Sequence, residues 1–212
     1  MEGKVFSVQG KELRSIELSD DVFGLPVNED VIWYAINNEL ANARVGTADT
    51  KTRSDVHGTN RRPYAQKGTT GRARQGDVKS PIYVGGGTVF GPHPRDYSYS
   101  INKKAKRLAM KSILSLKAQN ATMKVVEDFS VESGKTKDLA SLLSGLLPAD
   151  KAERTVIILK DDDAMVKRAG KNIPWLHFLS FNRLRAHDLF YGRTVIVMES
   201  AVKSLNEFYA EV

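Results

Sequence analysis

Near the start of the chain, Val5, Ser7 and the run Arg14-Ser15-Ile16-Glu17-Leu18 alternate apolar and polar residues around Gln9-Gly10-Lys11-Glu12. Period-two alternation places every second side chain on one face of a strand. A glycine between two such runs favours a turn, so a short hairpin is predicted with Gly10 in its turn. Asn28-Glu29-Asp30 then caps an apolar stretch, Val31 to Ala43, with Ala35, Ile36, Leu40 and Ala43 at helical spacing. The same spacing returns at Lys103, with Asn102 as N-cap and Ala105, Leu108, Ala109, Ile113 and Leu116 on one face. Strand and helix patterns then alternate. Strands are predicted at Met123–Val126, Thr155–Lys160, Leu176–Phe181 and Thr194–Met198. Helices are predicted at Lys137–Leu146, Ala164–Ala169, Asn182–Leu189 and Ala201–Tyr209. The runs beginning at Thr155 and Thr194 are continuously apolar and β-branched, which suits strands buried on both faces. The expected fold class is α/β, a mostly parallel sheet with helices on both faces.

From Arg44 to Ile101 this periodicity disappears. These 58 residues hold 9 of the 16 glycines and 4 of the 7 prolines, and only seven are Ile, Leu, Val or Met. Structureless segments beyond about 12–15 residues are uncommon in compact domains unless they are functional or disordered. Folded back as an extended hairpin, each arm of about 29 residues would reach at most about 90 Å, at ~3.3 Å per residue. The expected organisation is a globular body, residues 1–43 and 102–212, interrupted by one long extended loop, residues 44–101.

Charge sharpens that division. The chain of 212 residues carries a net +7. Residues 44–107 hold 14 Lys/Arg against 4 Asp/Glu, and the other 148 hold 18 against 21. A basic segment joined to a near-neutral body points to a polyanion partner. The apolar fraction of 41% is enough for a core. The absence of cysteine excludes a disulfide scaffold, thiolate metal sites and cysteine catalysis. The longest apolar runs fall far short of the ~20 residues a membrane-spanning helix needs. The opening MEGKVFSVQGKELRS lacks the apolar region of a signal peptide. A cytosolic setting and no membrane partner are therefore expected.

Enzymatic motifs fare poorly. Gly71 to Gly76 has the glycine spacing of a phosphate loop, but Asp77-Val78 stands where Lys-Ser/Thr is needed and no strand precedes it. Gly134-Lys135-Thr136 ends like such a loop, but Phe129 occupies its first glycine position. A nucleotide-dependent enzyme rests on fold analogy alone. Asp161-Asp162-Asp163 follows a predicted strand and is an Mg²⁺ candidate, although an acidic run there also caps the next helix. His57, His93, His177 and His187 share no metal-ligand spacing. His177 is expected in the core or on an edge strand.

The loop carries the strongest chemistry. Arg61, Arg62, Lys67, Arg72, Arg74 and Lys79 face one acid, Asp77, between residues 61 and 79. Tyr64, Tyr83, Phe90, Tyr97 and Tyr99 are interleaved with cations, and Gly85-Gly86-Gly87-Thr88-Val89-Phe90-Gly91-Pro92 reads as a specific turn. Arginine forks pair with phosphates and stack on bases. Tyrosine stacks on unpaired bases, which RNA offers more readily than duplex DNA. An amphipathic membrane-surface helix is missing. Ordering such a polar loop costs ~1–2 kcal/mol per backbone residue, so it is expected to order on its RNA.

At these residues the sequence resembles a known family. The segments RRPYAQKGTTGRARQGDVKSPIYVGGGTVFGPHPRDYSYSINKKAKRLAMKSILS and VVEDFSVESGKTKDL are similar to the bacterial form of the universal large-subunit ribosomal protein L-four. The resemblance runs the whole length. It implies a structural, non-enzymatic constituent of the large ribosomal subunit in the cytoplasm, without cofactor, metal or dedicated homo-oligomer. It also implies rRNA binding, support of subunit assembly, and a loop that lines the polypeptide exit tunnel. Its partners would be large-subunit rRNA, neighbouring large-subunit proteins and the nascent peptide. Carried over by motif, the rRNA-binding set is Arg44, Lys51, Arg53, Arg61, Arg62, Tyr64, Lys67, Arg72, Arg74, Lys79, Arg95, Tyr97, Lys103, Lys104 and Arg107. The tunnel-facing tip is Gln66, Lys67, Gly68, Thr69, Thr70, Gly71 and Arg72. Bacterial tips commonly read Gly-Thr-Gly, so this chain has an extra threonine. His93 stands where Lys is common. A free RNA-binding regulator, acting for example on its own messenger, is the alternative that shares the same basic loop.

Overall fold

The computed structural model describes residues 1–65, 67–68, 71, 73–147, 153–161 and 163–210. The chain divides into two units, Met1–Ala41 with Tyr99–Val212, and Asn42–Ser98.

The first unit is built on a six-stranded mixed sheet. Strands β1 (Glu2–Phe6) and β2 (Glu12–Glu17) form the antiparallel hairpin that the alternation requires. Its turn is closed by Ser7 N donating to Lys11 O at 2.8 Å, with Gly10 at φ +80°. Strands β3 (Met123–Val126), β4 (Thr155–Leu159), β5 (Leu176–Ser180) and β6 (Thr194–Met198) complete the order β2-β1-β3-β6-β4-β5. All pairings outside the hairpin are parallel. In β4, Val156 through Leu159 are consecutively buried, and so are Val195 through Met198 in β6. Successive side chains point to opposite faces, so both faces of these strands are covered. His177 is half-buried on β5, an edge strand.

Around the sheet run α1 (Asp20–Phe23), α2 (Glu29–Ala43), α3 (Lys103–Gln119), α4 (Thr136–Ser144), α5 (Ala164–Gly170), α6 (Ala186–Tyr191) and α7 (Glu199–Ala210). Asn28 Oδ1 accepts from Val31 N at 3.2 Å and so starts α2. Asp163 accepts from Met165 N and Val166 N at 2.9 and 3.3 Å. That acid of the Asp161–Asp163 run therefore caps α5, while Asp162 lies outside the described residues.

Three elements differ from the sequence pattern. Helix α1 has four residues, too few to show a period, and is recognisable only by its buried Val22 and Phe23. Helix α3 buries Ala109 and Ile113 of the predicted face but not Leu108. That side chain is exposed, whereas Met110, Lys111, Ser112, Leu114 and Ser115 are buried because α1 and α6 both pack on α3. Helix α6 begins four residues later than Asn182, because its first N–H groups are capped from elsewhere. The Glu39 carboxylate of α2 accepts from Ala186 N at 2.8 Å and His187 N at 2.9 Å. At the other end, Lys117 Nζ donates to Phe190 O at 3.0 Å and Gly192 O at 2.7 Å. Burial pushes the Lys117 ammonium below the usual lysine range. A helix of six residues is thus held at both ends by opposite charges, each matched to the helix dipole.

Just beyond the C-terminal ends of β3 and β6, side chains of the chain bond to one another. Asp128, after β3, accepts from Ser200 N at 3.2 Å and Ser200 Oγ at 2.8 Å in the first turn of α7. Arg14 reaches the neighbouring Glu199 at 2.6 Å. This is where α/β sheets ordinarily bind ligands. Among the described residues, no cluster of His, Asp or Glu could hold a metal ion. Among them, no helix is long and apolar enough to cross a membrane.

Candidate nucleic-acid interface

Beyond the last two residues of α2, Asn42 and Ala43, the second unit contains no helix or strand among its described residues. Its glycines and prolines interrupt any regular ladder. The outgoing and returning halves pair instead through isolated bonds. Arg95 N donates to Gly46 O at 3.1 Å, and Thr88 N to Lys51 O at 2.9 Å. Thr50 Oγ1 donates to Pro92 O at 3.1 Å, and Lys79 Nζ to Asn60 Oδ1 at 2.5 Å. As the partners advance from 46 to 60 on one arm they retreat from 95 to 79 on the other, so the two arms run antiparallel. Gly46 is required at its end of this ladder. It sits at φ +69°, and a Cβ there would lie 2.0 Å from Arg95 O.

Each arm also turns on itself. Thr52 and Asp55 close one turn, with Thr52 N donating to Asp55 Oδ2 at 3.0 Å and the Thr52 hydroxyl donating to the same carboxylate. These bonds hold the Asp55 carboxyl below the usual range, aided by His93 and Lys51. On the other arm, Ser80 N donates to Asp77 O, Tyr83 N to Ser80 O, and Gly86 N to Tyr83 O, all within 3.1 Å. Gly87 N then closes on Lys79 O at 2.9 Å.

On this frame the side chains of Arg44, Lys51, Arg53, Arg61, Arg62, Tyr64, Lys67, Arg74 and Arg95 are exposed. Two of the cations gather on one ring. The guanidinium carbons of Arg44 and Arg95 lie 3.9 and 4.5 Å from the centroid of Tyr97. The Arg95 hydrogen bond and both positive charges pull the Tyr97 phenol below its ordinary range. A π face relieves part of the repulsion between the guanidinium groups, and a phosphodiester would relieve more. Lys79 is used differently, because its side chain is only 14% exposed, bonded to Asn60 and 3.7 Å from Asp77. It braces the arms. His93 Nδ1 lies 3.3 Å from Asp49 Oδ1, a further cross-arm contact, and His57 is exposed.

Of the tip residues named from the sequence, Lys67, Gly68 and Gly71 are exposed. Gln66, Thr69, Thr70 and Arg72 lie outside the described residues. Lys103 and Lys104 belong to the first unit and are exposed in the first turn of α3, which has no acidic residue. Cations at the positive end of a helix dipole are unfavourable unless an anion joins them. Arg107, one turn further on, stacks 5.5 Å above the ring of Phe208 in α7. One apolar feature accompanies the cations and tyrosines. Ile82, Val84 and Phe90 stand out into solvent on the returning arm. The sequence marked Phe90 as an aromatic among cations and as part of the glycine-rich turn, but gave no sign of Ile82 and Val84.

The family model for the ribosomal protein L4/L1 family matches residues 16–208. Large ribosomal subunit protein uL4 of Treponema denticola is 72% identical over 209 residues, covering 99% of this chain and 97% of that protein. The protein of the same name from Treponema pallidum is 63% identical over 209 residues, covering 99% of this chain and 95% of the relative. The one from Borrelia duttonii is 56% identical over 212 residues, covering all of both chains. The sheet, the two-armed basic segment and these full-length matches belong together: the chain is a member of the ribosomal protein L4/L1 family.

Proposed function

We propose that this chain serves as a structural constituent of the large ribosomal subunit in the cytoplasm, without enzymatic activity, and binds large-subunit rRNA through residues 44–101. Residues 1–43 and 102–212 form the body in this reading, and the loop between them supports subunit assembly and lines the polypeptide exit tunnel. The observation that carries it is the exposure of Arg44, Lys51, Arg53, Arg61, Arg62, Lys67, Arg74 and Arg95 on paired arms whose described residues bury almost no apolar surface. Arg44, Lys51, Arg53, Arg61, Arg62, Lys67, Arg72, Arg74 and Arg95 supply phosphate contacts, with Tyr64 and Tyr97 as stacking platforms. Lys79 takes part chiefly by bracing the arms. Lys103, Lys104 and Arg107 add positive charge at the start of α3. Gln66 to Arg72 form the tip that faces the nascent peptide, and neighbouring large-subunit proteins complete the setting.

The salt dependence of binding to a large-subunit rRNA transcript tests this reading. With ~6–8 neutralised phosphates, log K should fall against log salt with a slope of about −4 to −6, at about −0.7 per phosphate. A slope near zero contradicts it.

A further inference from the structure

We propose that Phe90 is a base-stacking residue, its ring inserted against an unpaired rRNA base; this rests on the rRNA-binding reading above. Phe90 is 103% exposed relative to an unfolded reference, with φ at +51°. The left-handed region is unfavourable for a bulky residue. An aromatic ring left wholly in water forgoes its main source of stabilisation. Among the described residues nothing repays either cost, so the conformation serves something outside the chain.

The backbone on each side of Phe90 is fastened to the opposite arm. Thr88 N donates to Lys51 O at 2.9 Å on one side. On the other, Thr50 Oγ1 donates to Pro92 O at 3.1 Å. Gly91 passes so close to Thr50 that a Cβ would lie 2.1 Å from Thr50 Oγ1. The ring is therefore aimed by a clamped turn. The occupant follows from the surroundings: Lys51 and Arg53 lie on the opposing arm, and His93 and Arg95 follow in sequence. An unpaired nucleotide offers a π face for the ring and a phosphate for these cations at once. An apolar protein pocket would match only the ring.

The test uses the full chain and a large-subunit rRNA transcript. Binding is measured for the parent, Phe90→Ala, Phe90→Leu, Phe90→Tyr and Phe90→Gly. Phe90→Ala and Phe90→Leu should weaken binding about 5- to 150-fold, the range of one lost stack at ~1–3 kcal/mol. The salt slope should not change, because no phosphate contact is lost. Phe90→Tyr should bind like the parent. Phe90→Gly should match Phe90→Ala in binding while keeping or raising the thermal midpoint, since glycine accepts φ +51° without strain. In Phe90→Trp, emission beyond that of Trp33 and Trp175 should be quenched on RNA binding. Parent-like affinity of Phe90→Leu, or an unquenched Trp at position 90, overturns the stacking role while rRNA binding stands. Failure of the parent to bind rRNA overturns both.

Discussion

Strand β4 and the arm from Ile82 to Phe90 carry similar apolar side chains to opposite ends. In β4, Val156, Ile157, Ile158 and Leu159 are buried without exception, each strand neighbour adding a parallel ladder. In the arm, Ile82, Val84, Val89 and Phe90 are exposed. The difference lies in the residues around them. Pro81 lacks the N–H that a ladder needs, and Gly85-Gly86-Gly87 add no side chain to pack. The arm is held by isolated cross-arm bonds such as Thr88 N to Lys51 O. One region completes its own core. The other presents apolar and cationic groups together, the mixture a nucleic acid takes up.

The sharpest way to break this comparison is a pair of truncations. Ile157→Ala should cost about 2–5 kcal/mol in urea denaturation, as buried isoleucines do. Val84→Ala should stay within about 0.5 kcal/mol, as an exposed change does. A comparable loss at Val84 would mean that the arm buries more than the comparison allows. Next in size is Lys117→Met, which removes the charged cap of α6 and leaves the Phe190 and Gly192 carbonyls without their donor. A loss of about 1.5–3 kcal/mol is expected, with rRNA affinity unchanged. The double change Arg61→Ala, Arg62→Ala should do the reverse. The salt slope becomes shallower by about 1.4, two contacts at about 0.7 each, while the denaturation midpoint holds.

A further effect is a pH dependence. Burial pushes the Tyr209 phenol from 10.0 up to about 12. Between about pH 10 and 12 the unfolded chain has released that proton and the native chain retains it. Stability should therefore fall as pH rises through this window. Tyr209→Phe should flatten that part of the profile, and an unchanged profile would show that the phenol does not titrate there.

Local sequence was most informative where one element settles its own environment. The continuous apolar runs at β4 and β6 leave little choice but a doubly covered strand. Asp163 caps the helix that follows it within three residues. Legibility failed where a partner distant in sequence decides. The start of α6 is set by Glu39 on another helix, and the orientation of α3 by α1 and α6 together. In the candidate interface, charge density alone marked the cations. The gathering of Arg44 and Arg95 on Tyr97 depends on the two arms meeting, as does the bracing of Lys79 by Asn60. Phe90 was visible as a residue of a turn, but its exposure and positive φ follow from the clamp between Thr50, Lys51 and Pro92.

In the proposed function, the basic segment anchors a folded body in the large subunit. Sedimentation of ribosomes through a sucrose cushion at about 0.5 M salt tests it most directly, because the Debye length there is only a few Å and loosely held passengers are released. The full chain should co-sediment at one copy per large subunit, and a variant with residues 45–100 replaced by a short turn should remain folded but stay in the soluble fraction. A full chain found only in the soluble fraction, or a shortened chain retained as firmly as the full one, would contradict the account.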